Sequence, residues 1–323
     1  MKRRTKLLTV AGLLSLVPLA LLIIYLAYPR ILLRKVVAVQ RSNAGFDHRW
    51  VQVQDWDLPY LDSQRQDSND QDTLLLVHGF GDSKDSFLDL GTGLTDDYRI
   101  VALDLPGFGE TAIRTDGDYS ADFYVSVIVG FLDQLDLDAV HLVGYSMGGM
   151  LAAKVAARAP DRVRTLTLLA PAGLPGDRPS QMDQIMAAEQ VLPLIYRDRK
   201  SFERLMQLNF HQPLDIPDFA LRAVVAEGRD RADLHQLIFD KLFNAAEVAA
   251  LEQELVTLQV PALVIWGIED RILNVSSADR WSQVNPDIRV VKLPAVGHDL
   301  IHQRIDDIHK QLRIHSGAAE PGN

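Results

Sequence analysis

The stretch HLVGYSMGGM, residues 141–150, sets a serine between two glycines at the end of an apolar run. The core pattern is Gly144-Tyr145-Ser146-Met147-Gly148, and the residues that follow, MGGMLAAKVAA, have helical character. At a strand-to-helix junction, Gly-x-Ser-x-Gly makes a turn sharp enough to hold a hydroxyl clear of the sheet. The helix N-terminus then lies beneath it, where backbone amides and the helix dipole favour a developing anion. Gly144 and Gly148 supply the space such a turn needs, and Ala152, Ala153, Ala156 and Ala157 let the helix approach the sheet. The competing reading is a glycine-rich turn with an incidental serine; the strand before and the helix after favour the chemical one.

A neutral serine is a poor nucleophile until a base takes its proton and an acid orients that base. Behind an elbow of this type the chain order is serine, acid, histidine. Downstream, VIWGIEDRILN places Asp270 just after an apolar strand, and VVKLPAVGHDL places His298 in the loop after the last one. Catalytic groups gather at such strand ends in α/β sheets. Glu269 is the adjacent alternative; Asp270 is preferred as the residue three after Gly267. The strand ending at Ala170 continues as LLAPAG and offers no acid.

The other histidines fit less well. His48, His211, His235, His302, His309 and His315 sit in helical or polar contexts and are expected at the surface, while His141 lies inside the strand that leads to Ser146. His78 ends a strand in LLLVHGFGDS and is expected to brace a turn. That turn can offer the amide of Phe80 to an oxyanion, with the amide of Met147 as second donor. DLPGFGET reads as a further tight turn nearby.

The elements that must position these groups alternate. TLLLVHG, RIVALDLPG, AVHLVGYS, VRTLTLLAPAG, PALVIWG and IRVVKLP are short apolar runs suited to strands buried on both faces. Helical patterns such as SADFYVSVIVGFLDQLD lie between them, which predicts a mostly parallel sheet covered by helices. WVQVQDWDLPYL alternates and reads as edge strands. The alternation stops over residues 176–255, a charged helical stretch holding Met182, Met186, Phe202 and Met206. It predicts a helical cap inserted between core segments 46–175 and 256–315, followed by a disordered tail over 316–323. These methionines and phenylalanine are candidates for an acyl-chain pocket, since methionine adapts to flexible apolar ligands; the alternative is that they form the cap's own core.

The N-terminus differs from the rest. Residues 1–41 carry eight basic residues and no acid, a charge of +8, whereas the remainder holds 25 basic and 43 acidic residues, or −18. The acidic body argues against a nucleic-acid partner. Leu7–Tyr28 is uncharged over 22 residues, roughly 33 Å as a helix, about one bilayer core. Residues 1–29 are therefore expected to be a single-pass membrane anchor, with a cleaved signal peptide as the alternative. The flanking charges lean to an N-terminus inside. Residues 30–45, ILLRKVVAVQ among them, are expected to be a linker, an interfacial segment or the approach to a first strand. The chain has no cysteine, which excludes disulfides, thiol catalysis and thiolate metal sites.

The motifs HGFGDSKDSF, DLPGFGET, GYSMGG, APAGLPG, WGIEDRI and GH, spread between Thr73 and Arg313, resemble those of α/β-hydrolases with a serine nucleophile. Together with the N-terminal span, they make the chain most similar to membrane-anchored monoacylglycerol-lipase-like hydrolases and related bacterial lipases. The resemblance implies an eight-stranded, mostly parallel sheet with helices on both faces and a helical cap. It also implies a triad of Ser146, Asp270 and His298, an oxyanion hole at the Phe80 and Met147 amides, a lipid or small ester substrate, and no metal or organic cofactor. DLIHQRIDD, after His298, lacks a proline that many relatives carry. Hydrolysis of a carbon–carbon bond in a ring-cleavage product would use the same triad. An inactive fold kept for binding would be expected to have lost one of its members.

Overall fold

A computed structural model describes residues 25–64, 72–212 and 214–318. Eight strands form one sheet: β1 (Asp47–Val53), β2 (Trp56–Asp62), β3 (Thr73–Val77), β4 (Arg99–Leu103), β5 (Val140–Tyr145), β6 (Val163–Leu169), β7 (Ala262–Gly267) and β8 (Arg289–Leu293). Their spatial order is β1-β2-β4-β3-β5-β6-β7-β8. β1 and β2 pair antiparallel with each other, and β2 pairs antiparallel with β4. All later pairings are parallel.

Burial explains the two styles of strand. Every residue of β3, β5 and β7 is buried, as continuous apolar runs require when both faces are covered. β1, at the edge, buries only Val53. The order also fixes where a ligand can sit. From β3 the chain steps to one side for β4 and returns to the other side for β5. That reversal opens a crevice beyond the carboxyl ends of β3 and β5, the place where open α/β sheets bind ligands.

The segment before β1, expected as a linker, an interfacial segment or the approach to a strand, is helical: Pro29–Asn43 forms α1, with proline in its first turn. It packs along a long helix between β6 and β7, and Arg30 reaches Asp230 there at 2.5 Å. Leu32, Leu33, Val36 and Val37 of α1 are half-buried and Ile31 and Val39 are exposed; the helix it packs on lies about 200 residues away in sequence. The expected anchor over Leu7–Tyr28 falls outside the described residues except for 25–28, and the end of the expected tail, 319–323, does so too. Among the described residues no helix is long and apolar enough to cross a membrane.

One helix carries Ser146 at its N-terminus and a second packs against it. α2 (Ala121–Gln134) begins with Ser120 accepting from the Phe123 amide. α3 (Met147–Arg158) follows β5 without a spacer and packs against β5, β6 and α2. Its alanine face is what lets it lie this close: Ala152, Ala153 and Ala156 are fully buried. Between β6 and β7 run α4 (Gln181–Glu189), α5 (Arg199–Asn209), α6 (Asp218–Leu242) and α7 (Ala245–Val256), with no strand among the described residues. α4 and α5 each start with a reciprocal capping box, Ser180 with Asp183 and Asp198 with Ser201.

Candidate active site

β5 ends at Tyr145 and α3 begins at Met147, so Ser146 is the whole turn. Its backbone sits at φ 53°, ψ −116°, a conformation costly to a non-glycine residue and held only by its surroundings. The glycines on either side are compelled. A Cβ on Gly148 would lie 2.2 Å from the Val77 carbonyl oxygen, and one on Gly144 would lie 2.3 Å from that of Gly148. The turn is pinned by the Ser146 amide donating to Leu169 and by the Ser146 carbonyl accepting from Ala172.

Three separate loops converge on this hydroxyl. His298 Nε2 lies 2.9 Å from Ser146 Oγ, and His298 Nδ1 lies 2.7 Å from Asp270 Oδ2. Both His298 and Asp270 are buried. The Asp270 carboxylate is saturated: Oδ2 also accepts from Trp266 Nε1 at 3.0 Å, and Oδ1 accepts from the amides of Ile272 and Leu273. Glu269, the sequence alternative, points elsewhere and accepts from the Val296 amide. The structure thus brings Ser146, Asp270 and His298 into one hydrogen-bonded row.

The loop after β3 faces the same hydroxyl. His78 is fully buried; Nδ1 donates to the Gly79 carbonyl, and Nε2 accepts from the Leu105 amide. Both ring nitrogens are occupied by backbone, so it braces the loop, as expected. The Phe80 ring is gripped by Phe108, His235 and Phe239, with centroids 5.4–5.8 Å away. The Met147 amide, at the first position of α3, has no acceptor within its own helix.

Two cavities meet at Ser146. The larger, of about 610 Å³, is bounded by Phe80, Met150, Met182, Met186, Phe239 and Phe243 among others. The smaller, of about 220 Å³, is bounded by Phe80, Asp82, Tyr145, Asn209, His298 and Asp299, with Phe202 and Met206. The four residues singled out in the sequence therefore divide, two to each cavity. Met182 also packs in a small cluster with Leu208 and Ile272, so pocket lining and core packing are both true of it.

Other residues at the site had no clear signal in sequence. Asp82 accepts from the Ser83 amide and the Ser86 hydroxyl, and burial raises its carboxyl above the usual range. Asp299 pairs with His302 at 2.8 Å; burial pulls that imidazole down, but the carboxylate outweighs it and His302 is pushed up to about 8. Two histidines expected at the surface are buried instead. His309 lies against the Leu90 carbonyl at 2.7 Å, and His235 lies among Phe80 and Phe108, where burial pushes it down to about 4. A polar knot under the β3 loop was likewise unforeseen. Fully buried Lys84 bonds Asp104 at 2.8 Å and Glu110 at 3.0 Å. Burial would raise the Glu110 carboxyl, but Lys84 and Arg41 hold it at about 2.

The family described as alpha/beta hydrolase fold matches residues 72–304. Over 301 residues the chain is 29% identical to the monoacylglycerol lipase ABHD6 of Homo sapiens, covering 91% of this chain and 89% of that one. It is 25% identical to Lipase 3 of Moraxella sp. (strain TA144), covering 85% and 86%. The crystal structure of a membrane phospholipase A described as a bacterial virulence factor superposes with a TM-score of 0.83 at 30% identity, covering 99% of this chain and all of that one.

Proposed function

The chain belongs to the alpha/beta hydrolase fold family, and from that premise we propose that it is a serine hydrolase of carboxylic esters working through an acyl-enzyme. The observation that carries this is the unbroken row Ser146 Oγ, His298, Asp270, with contacts of 2.9 and 2.7 Å. In this reading Ser146 Oγ attacks the ester carbonyl as His298 Nε2 takes its proton. Asp270 holds the imidazole with Nδ1 protonated and stabilises the imidazolium as it forms. The amides of Phe80 and Met147 receive the oxyanion of the tetrahedral intermediate. His298 then returns the proton to the departing alcohol, and water, activated by the same nitrogen, releases the acid.

The cavities support a lipid ester of the monoacylglycerol type. If a methylene takes up about the ~30 Å³ of a water molecule, the larger cavity holds on the order of twenty such units and suits an acyl chain. The helices between β6 and β7 would act as a cap, since Met182 and Met186 of α4 and Phe239 of α6 bound that cavity. The names of the relatives point the same way. The apolar span at residues 7–28 would anchor the enzyme in a membrane, with α1 leading directly from it into the body.

A panel of p-nitrophenyl esters, monoacylglycerols and triacylglycerols, presented to the detergent-solubilised full-length protein, tests the reading. Turnover of the first two classes, absent in Ser146→Ala, is the expected result. A protein that turns over none of them, or a Ser146→Ala variant that matches wild type, would remove it.

A further inference from the structure

Resting on the serine-hydrolase reading, we propose that His302 is a positioning residue: its charged ring, acting through Asp299, seats the loop that carries His298. The premise is how that loop is held. Before His298, the Val296 amide is fixed by Glu269. After it the chain runs on as DLIHQRIDD, with no proline to stiffen it, and the fixed points gather on Asp299. Its amide donates to the Asn209 carbonyl at 3.0 Å, and its carbonyl accepts from Gln303 Nε2 at 2.6 Å. Its Oδ1 accepts from the His302 amide at 3.2 Å and from His302 Nδ1 at 2.8 Å. The residue next to His298 is thus anchored through both backbone and side chain, and the side-chain half rests on His302.

The pair spans a wall of the enzyme. Asp299 is buried and bounds the cavity of about 220 Å³ at Ser146 and His298. His302 bounds a separate outer cleft of about 570 Å³, beside Gln40 and Asn43 of α1, with 29% of its side chain exposed. Protons from solvent therefore reach this imidazole without entering the catalytic cavity. Its surroundings favour the cation. Asp85 and Asp89 border the outer cleft, and no lysine or arginine bounds either space. Arg41, near the end of α1, is held by Asp85 and Glu110, and Arg304 by Asp307. From α5 and its end the facing groups are Asn209 and the Phe210 ring, both uncharged. Asp82, across the inner cavity, is pushed toward its neutral form by burial. Burial pulls the His302 imidazole down, but Asp299 outweighs it and holds it at about 8, against an ordinary value of about 6.5. The ring is charged at neutral pH and becomes neutral as pH rises through about 8.

Charge-assisted hydrogen bonds are roughly twice as strong as neutral ones, so neutralising His302 weakens the clamp without breaking it. The difference is worth about fivefold in the population of the seated loop. A displaced His298 slows the chemical step and leaves binding alone. The test is the pH profile of p-nitrophenyl butyrate hydrolysis by the full-length, detergent-solubilised protein, followed from about pH 7 to about 9.5. Wild-type kcat should fall about fivefold with a midpoint near 8, while KM stays within about twofold. His302→Gln cannot carry the charge and should be low and flat over the range. His302→Lys stays charged throughout and should be flat near the wild-type value at neutral pH, a rescue that packing alone does not produce. Asp299→Asn keeps an acceptor for the His302 amide but not the charge, and should also lose the alkaline fall. A wild-type kcat that does not fall would overturn the proposal. So would a fall with the same midpoint in an active His302→Gln or Asp299→Asn, or a His302→Gln enzyme that matches wild type at neutral pH. Wild type inactive on this ester at neutral pH would instead remove the hydrolase reading beneath it.

Discussion

Replacing Asp270 with asparagine probes the candidate site at its most constrained group. The carboxylate accepts four hydrogen bonds, two at each oxygen. An asparagine has one acceptor edge and one donor edge. With its oxygen kept toward Ile272 and Leu273, its NH₂ faces Trp266 Nε1–H at 3.0 Å and the ring nitrogen of His298 at 2.7 Å. The imidazole must then present a bare Nδ1 and carry its proton on Nε2, the atom that has to accept from Ser146. Flipping the amide rescues His298 but sets the NH₂ against the two backbone amides. Either way a buried donor loses its acceptor, a cost of about 1–3 kcal/mol. The fold should survive, with a melting temperature lowered by about 2–9 °C for a chain of this size. Turnover should not: losing the orienting acid in a serine triad lowers kcat by about 10⁴. Steady-state hydrolysis of p-nitrophenyl butyrate beside thermal unfolding separates the two effects. Glu269→Gln, which touches only the Val296 amide, should stay within a fewfold of wild type. An Asp270→Asn enzyme with more than a tenth of wild-type kcat would refute the assignment of the acid.

Other outcomes follow from the same structure. Met186→Trp fills part of the larger cavity, so the preference for long over short p-nitrophenyl esters should fall about tenfold, with the shortest esters unaffected. His235 is held near pH 4 when folded against about 6.5 when unfolded, so the unfolded chain binds the proton first as pH falls. Its contribution is present above pH 6.5 and is lost as pH drops toward 4, about 3 kcal/mol in all; urea unfolding of His235→Phe should show a correspondingly flatter decline over that window. A chain beginning at Ser42 lacks α1, exposing the face of α6 that Arg30 and its neighbours cover, and should melt lower than the full-length protein while leaving the membrane fraction. Full-length protein released by high salt alone would contradict the anchor.

What could be read in the sequence was local or carried by chain order. The apolar runs gave the strands because a buried parallel strand tolerates little else. The hydrogen-bonded row of Ser146, His298 and Asp270 was legible because an elbow fixes one position and the ends of later strands fix the others. What stayed hidden depended on distant packing. α1 reads as a linker until α6 covers it, and His235 reads as exposed until Phe80 and Phe108 close around it. The division of Met182 and Met186 from Phe202 and Met206 into two cavities depends on how α4 and α5 lean over Ser146.

The central claim is that Ser146 carries the acyl group, and mass spectrometry of the trapped intermediate tests it most directly. Full-length protein mixed with p-nitrophenyl octanoate and quenched in acid within milliseconds should show one added octanoyl group, mapped after digestion to the peptide containing Ser146. The adduct should be absent from Ser146→Ala and from His298→Ala. An octanoyl group on any other residue, or ester turnover with no adduct and undiminished in Ser146→Ala, would contradict the account.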